Sequence, residues 1–203
     1  MSVLTAQPPT VIGVTPHPEP DARLAADVSR AGRLGMLDLG RGGEPARAAL
    51  ALARTWVPAA FGVRVPAGCD LHPDEIQDTE GAGPHTVLLG PGSPWRIGHV
   101  PAPCVLAEVT AVRQACDAVA EGAAGLVVRG DGRGGPDAFG LLRRVLAEVG
   151  GAGDAVPVWV RADTDRSAAA ALRAGAVGVV VDARLALPLT PEAPPNSPTN
   201  SRS

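Results

Sequence analysis

Four histidines, one carboxylate inside an apolar run and one glycine-rich loop are the residues of this 203-residue chain that invite a chemical role. A histidine is the side chain best suited to move a proton near neutral pH. His17 follows a first apolar run, and His99 lies in the loop after a fourth. His72 and His85 flank the connection between the third and fourth runs, and His17 is the preferred candidate base. No two histidines stand at H-x-x-x-H spacing, so the reading assigns no metal. Glu108 sits within VLAEVT, where an acid must find a partner or become neutral. Inside a closed barrel it could reach Arg64, in FGVRVP, or Arg129, after GLVV. A structural ion pair and a functional acid are equally open there.

The glycine-rich loop reads VVRGDGRGGPDAFG, and Gly130, Gly132 and Gly135 spell G-x-G-x-x-G. A dinucleotide fingerprint runs from its last glycine into a helix and is followed about 20 residues on by an acid that binds ribose. Here Pro136 is expected to open the helix as its first residue, and the next acid near a strand end is Asp163. The spelling is therefore read as accidental. Lysine and tyrosine are absent from the whole chain. That excludes a P-loop, which needs a lysine on the phosphates, and it excludes Schiff-base catalysis and a Tyr–Lys acid.

Composition narrows the class. The net charge of −3 and only five aromatic residues give neither an electrostatic footprint nor a stacking surface for nucleic acid. No apolar run approaches membrane-spanning length, and MSVLTAQPPT has neither the basic start nor the apolar stretch of a secretory signal. Cys69, Cys104 and Cys116 are odd in number and lack C-x-x-C spacing, which reads as reduced thiols in a cytoplasmic protein.

The elements that must position these residues repeat one phrase. DARLAADVSRAG precedes LGMLDLG, VRQACDAVAEGAA precedes GLVVRG, and RSAAAALRAGAV precedes GVVVDARL. Each is a helical pattern closed by a glycine, then a continuous apolar strand of the kind buried on both faces of a parallel sheet. The same reading predicts eight strands: 11–15, 34–39, 61–65, 86–89, 105–110, 125–129, 158–161 and 178–181. Helices follow the first, second, fifth, sixth and seventh. The third and fourth connections are rich in Gly and Pro, so their helices are expected to be shortened. Eight such units make a compact (β/α)8 barrel over residues 11–187, with a doubly wound open sheet as the alternative. Residues 1–10 are expected to be a flexible N-terminus and 188–203, PLTPEAPPNSPTNSRS, a disordered tail or linker.

Two long segments carry a resemblance. VLAEVTAVRQACDAVAEGAAGLVVRGDGRGGP followed by VPVWVRADTDRSAAAALRAGAVGVVVDARLAL resembles the C-terminal half of the nitronate monooxygenase (2-nitropropane dioxygenase) family, which includes flavin-dependent enoyl reductases. VIGVTPHPEPDARLAADVSRAGRLGMLDLG and FGVRVP look like its first three strands. The resemblance implies an FMN-binding TIM barrel acting on a small-molecule or acyl-thioester substrate. It implies flavin contacts at Thr15, Arg64, Glu108, Gly130, Gly134 and Gly135. Asp163 and Asp182 fall where the family's phosphate-binding loops lie. Departures from the pattern stand at the same places. Pro136 replaces the histidine that follows the glycine pair in nitronate-oxidising members, which leaves enoyl reduction the better match. Ala162, Asp163, Thr164 and Asp165 replace a glycine-rich loop, and Asp182 and Ala183 replace a Gly-Thr. Asp163 or Asp165, with Thr164 as the second choice, is expected to cap the next helix. Arg161, Arg166 and Arg184 are expected to form a solvated face. The expectation is a barrel with a degraded flavin site. Its alternative is a non-catalytic structural or docking module, fused or docked to a polyketide- or fatty-acid-synthase-like protein.

Overall fold

The computed structural model describes residues 10–57, 61–78, 83–130, 137–149 and 156–187. Gly134, Gly135, Pro136 and the segments 1–9 and 188–203 lie outside them. Eight parallel strands close into a barrel in chain order, with β8 paired to β1. They are β1 Val11–Val14, β2 Leu34–Asp38, β3 Phe61–Val65, β4 Thr86–Leu89, β5 Cys104–Val109, β6 Gly125–Val128, β7 Val158–Arg161 and β8 Gly178–Asp182. Closure removes the open-sheet alternative.

Helices α1 (Ala22–Arg30), α2 (Gly43–Trp56), α3 (Val112–Ala120), α4 (Ala138–Val149), α5 (Asp165–Arg173) and the single turn α6 (Ala183–Ala186) surround the strands. Except in α4, whose buried face is Leu141, Leu142, Val145 and Val149, their inner faces are largely alanine: Ala25, Ala46, Ala49, Ala53, Ala115, Ala118 and Ala171 are all buried. Small residues let each helix sit close to its strands, which suits a short chain. The glycines expected to end α1, α3 and α5 do so in the left-handed region, at φ 78° for Gly32, 91° for Gly122 and 102° for Gly175.

Among the described residues, the third and fourth connections hold one 3₁₀ turn each, Pro73–Ile76 and Ile97–His99, in keeping with their Gly and Pro content. Leu71, Ile76, Trp95 and Ile97 join the same buried cluster as Val63, Val65, Val87 and Leu89, so loop side chains replace the missing helices. The Trp95 indole N–H donates to the Leu71 carbonyl at 2.7 Å and ties the two loops together.

Inside the barrel, Ile12, Val14, Met36, Leu88, Leu106, Val127, Trp159 and Val180 form a second, separate apolar cluster. Trp159 fills the lower interior because its neighbours are glycines. A Cβ at Gly125 would lie 2.6 Å from its ring, and one at Gly178 would lie 2.8 Å away. Side chains alternate along a strand, so the residue two beyond each interior position also points inward. That rule builds the next layer up, at the C-terminal mouth, where barrels of this kind place their chemistry.

Candidate functional site

The mouth layer consists of Val14, Asp38, Arg64, Gly90, Glu108, Arg129, Arg161 and Asp182, one position in or directly after each strand. Where the layer below is apolar, this one carries three arginines and three carboxylates. Asp38, Arg64 and Glu108 are buried, although each is charged. Such burial is tolerable only with close pairing. Arg64 supplies it: Nη1 donates to Asp38 Oδ2 at 2.7 Å, while Nε and Nη2 donate to Glu108 Oε2 at 3.0 and 2.9 Å. Burial works against the Arg64 charge, but Glu108 and then Asp38 outweigh it and hold the guanidinium pKa above its ordinary value. Gly90 makes the room, because a Cβ there would stand 2.9 Å from Arg64 Nη2.

The second oxygen of Glu108 is shared more loosely. Arg129 Nη1 lies 3.4 Å from Oε1 and Arg161 Nη1 lies 3.9 Å from it. Glu108 thus meets both partners anticipated for it, Arg64 and Arg129, and Arg161 as well. The expectation of a solvated arginine face is corrected for Arg161, whose alternation with Trp159 turns it into the barrel. Arg166 and Arg184 are exposed.

His17 and Thr15 complete the mouth from the loop after β1. Thr15 Oγ1 accepts the Asp38 backbone N–H at 2.9 Å, which fixes β2 against β1. His17 is half-exposed, with Nδ1 3.3 Å from Asp38 Oδ1. That same oxygen accepts the Gly40 N–H at 2.8 Å. A histidine oriented by a buried carboxylate is an arrangement that can take or give a proton. The other histidines are elsewhere. His72 caps the first 3₁₀ turn, His85 contacts Thr86 at the foot of β4, and His99 ends the second 3₁₀ turn. Asp38 is the member that sequence reasoning missed, although LGMLDLG places a charge in an apolar run just as VLAEVT does.

A cleft of about 550 Å³ opens above this layer. Its floor includes Asp38, Arg64, Arg129, Arg161 and Asp182, and Val14, Pro16, Pro66, Ala67 and Pro91 form apolar walls. Burial pushes the Cys69 and Cys104 thiols up from their ordinary pKa, so neither is an activated nucleophile.

The loops after β7 and β8 test whether the mouth fits FMN. Thr164, rather than either aspartate, caps α5: its Oγ1 accepts the Ser167 N–H at 3.2 Å. Ser167 Oγ returns the contact by donating to the Thr164 carbonyl at 2.8 Å. Asp163 and Asp165 stand exposed beside this capped end. At β8 the Asp182 carboxylate accepts the Arg184 N–H at 2.9 Å. Side chains of the chain itself therefore occupy amides that a phosphate needs, and three carboxylates surround them. These residues do not fit a phosphate cradle. Gly130 is half-buried at the end of β6, where an added Cβ would lie 3.3 Å from the Ala138 nitrogen. Helix α4 begins at Ala138, with the Asp137 carboxylate accepting the Gly140 N–H, two residues later than an opening at Pro136.

No protein-family model matches the sequence. No curated protein matches it either. Solved structures do match in fold. FabK from Thermotoga maritima superposes with a TM-score of 0.67 at 21% identity over 85% of this chain and 57% of its own. Nitroalkane oxidase from Streptomyces ansochromogenes gives 0.66 at 19% identity over 86% of this chain and 65% of its own. Thiamine phosphate pyrophosphorylase from Pyrococcus furiosus gives 0.57 at 16% identity over 87% of both chains. The chain thus spans roughly three fifths of FabK and of the nitroalkane oxidase. At these identities the likeness is one of fold.

Proposed function

We propose that the chain is an FMN-oxidoreductase-like barrel of the nitronate monooxygenase and enoyl reductase type whose flavin and catalytic positions are filled by its own side chains. It works without FMN, as a structural or docking module fused or docked to a larger synthase of the polyketide or fatty-acid kind. The observation that carries this reading is Arg64 lodged between Asp38 and Glu108 at 2.7–3.0 Å. In the resembled family the Arg64 position is commonly an asparagine and a polar side chain at the Glu108 position lies under the flavin. Here the two side chains meet each other and leave little hydrogen-bonding capacity toward a ring above them. The capped ends of α5 and α6 point the same way.

The visible spectrum of the purified protein, followed by turnover assays with added FMN, NADH and NADPH, tests the reading. The expected result is a colourless protein that neither reduces an enoyl thioester nor oxidises a nitronate. Flavin absorbance in the purified protein, or turnover of either substrate, would overturn it. One observation favours a second reading, that of an acid–base enzyme on a small-molecule or acyl-thioester substrate: the contact of His17 with Asp38 at 3.3 Å. An activity lost in His17→Ala with the fold intact would give that reading the lead.

A further inference from the structure

We infer that the barrel mouth binds an apolar monocarboxylate, with the carboxylate held between Arg129 and Arg161 and the apolar body against the proline walls. The inference rests on the reading that FMN does not fill the mouth. Its first support is the division of labour among the charges. Arg64 is enclosed by Asp38 and Glu108 at hydrogen-bonding distances, so that trio is complete and carries one net negative charge. Arg129 and Arg161 then share only the remaining Glu108 oxygen, at 3.4 and 3.9 Å. Each guanidinium has five donors in a planar fork, and one carboxylate oxygen at such distances uses few of them. Both side chains line the cleft, at 46% and 30% exposure, where an entering anion reaches them without displacing the trio.

The charges favour a monoanion. Arg129 and Arg161 add two positive charges to the negative trio, a local excess of one that Asp182 brings to zero over the whole floor. Asp182 lines the same cleft from β8, the strand beside that of Arg161, with one oxygen on the Arg184 N–H, and His17 lies at the rim. A single carboxylate meets the local excess at the two arginines, whereas a phosphate dianion brings a second charge toward Asp182 and Glu108. The walls select the rest of the ligand. Pro16, Pro66, Pro91 and Ala67 present apolar surface and no donors apart from the Ala67 backbone, since proline has no N–H. A cleft of about 550 Å³ falls within the range of small-molecule sites.

Isothermal titration of the whole chain with benzoate, benzamide and inorganic phosphate tests the proposal. Benzoate should bind saturably at one site, and benzamide, of the same shape without the charge, should not. Arg129→Ala and Arg161→Ala should each weaken benzoate by about tenfold or more, the scale of one lost charge-assisted hydrogen bond. Arg166→Ala, an exposed control on α5, should leave it unchanged. The partly exposed positions of Arg129 and Arg161 let both variants fold, and Arg129→Lys, which keeps the charge without the fork, should recover part of the loss. Absence of saturable benzoate binding would overturn the proposal. So would equal binding of benzamide, tighter binding of phosphate, or indifference to both arginine substitutions. Colourless protein that ignores benzoate overturns this proposal alone. Protein that carries FMN overturns the proposed function first and this proposal with it.

Discussion

Replacing Arg64 by methionine removes the cation that two buried carboxylates share. Breaking one partner from a buried pair costs about 3–5 kcal/mol, because the other charge stays behind without compensation. Three local contacts soften the loss here. Glu108 keeps Arg129 at 3.4 Å, and Asp38 keeps the Gly40 N–H at 2.8 Å with His17 at 3.3 Å. The expected cost therefore lies near the lower end, about 3 kcal/mol. For a domain of this size that corresponds to a fall in thermal midpoint of roughly 6–12 °C. Thermal and urea unfolding followed by far-UV circular dichroism read it. Asp38→Asn and Glu108→Met, added to Arg64→Met, remove the stranded charges and should recover most of the lost stability. A change within about 0.5 kcal/mol for Arg64→Met alone, the scale of an ordinary surface substitution, would refute the buried-trio argument. So would a triple variant less stable than the single one.

Other regions of the barrel give sharper local tests. Gly178→Ala would place a Cβ 2.5 Å from the Thr10 carbonyl and 2.8 Å from Trp159, so chemical denaturation should show a loss of about 1–3 kcal/mol from overpacking. Thr164→Ala removes the α5 cap and should cost about 1 kcal/mol in the same assay; no loss would mean that Ser167 caps the helix alone. Burial raises the Cys69 and Cys104 thiol pKa values, so their thiolate fraction at mildly alkaline pH is below that of free cysteine. Iodoacetamide labelling mapped by mass spectrometry should find both slower than free cysteine, with rates that climb only at higher pH. Labelling as fast as the free amino acid would contradict it.

The barrel was legible because parallel strands buried on both faces leave continuous apolar runs, and glycines mark where each helix stops. Phe61–Val65, Thr86–Leu89 and Val158–Arg161 match their predicted bounds, and each of the other five strands differs by one residue at one or both ends. The shortened third and fourth helices followed from Gly and Pro in those connections. Part of the site was equally visible: a charge in an apolar run must be paired, and that argument alone joined Glu108 to Arg64 and Arg129. Asp38 obeys the same argument, since it stands inside the predicted strand 34–39, but the glycine two residues on gives it the look of a turn aspartate. Arg161 was misplaced for a related reason. Its direction follows from two-residue alternation with Trp159, a rule that needs to be carried to the end of the strand. The capping of α5 by Thr164 turned on which of three adjacent residues, Asp163, Thr164 or Asp165, adopts the extended conformation before the helix, which local composition does not decide.

If the mouth is closed to FMN by the chain's own charges and caps, as proposed, the flavin should fail to bind. Fluorescence-quenching titration of FMN against the wild-type protein, at low and moderate salt, tests it most directly. Little or no quenching is expected, with a gain of affinity when Asp163, Asp165 and Asp182 are all replaced by glycine, which removes charge and lets backbone amides approach a phosphate. Sub-micromolar binding by the wild-type protein, abolished by Arg161→Ala or Arg184→Ala, would contradict the account and make these arginines the cradle.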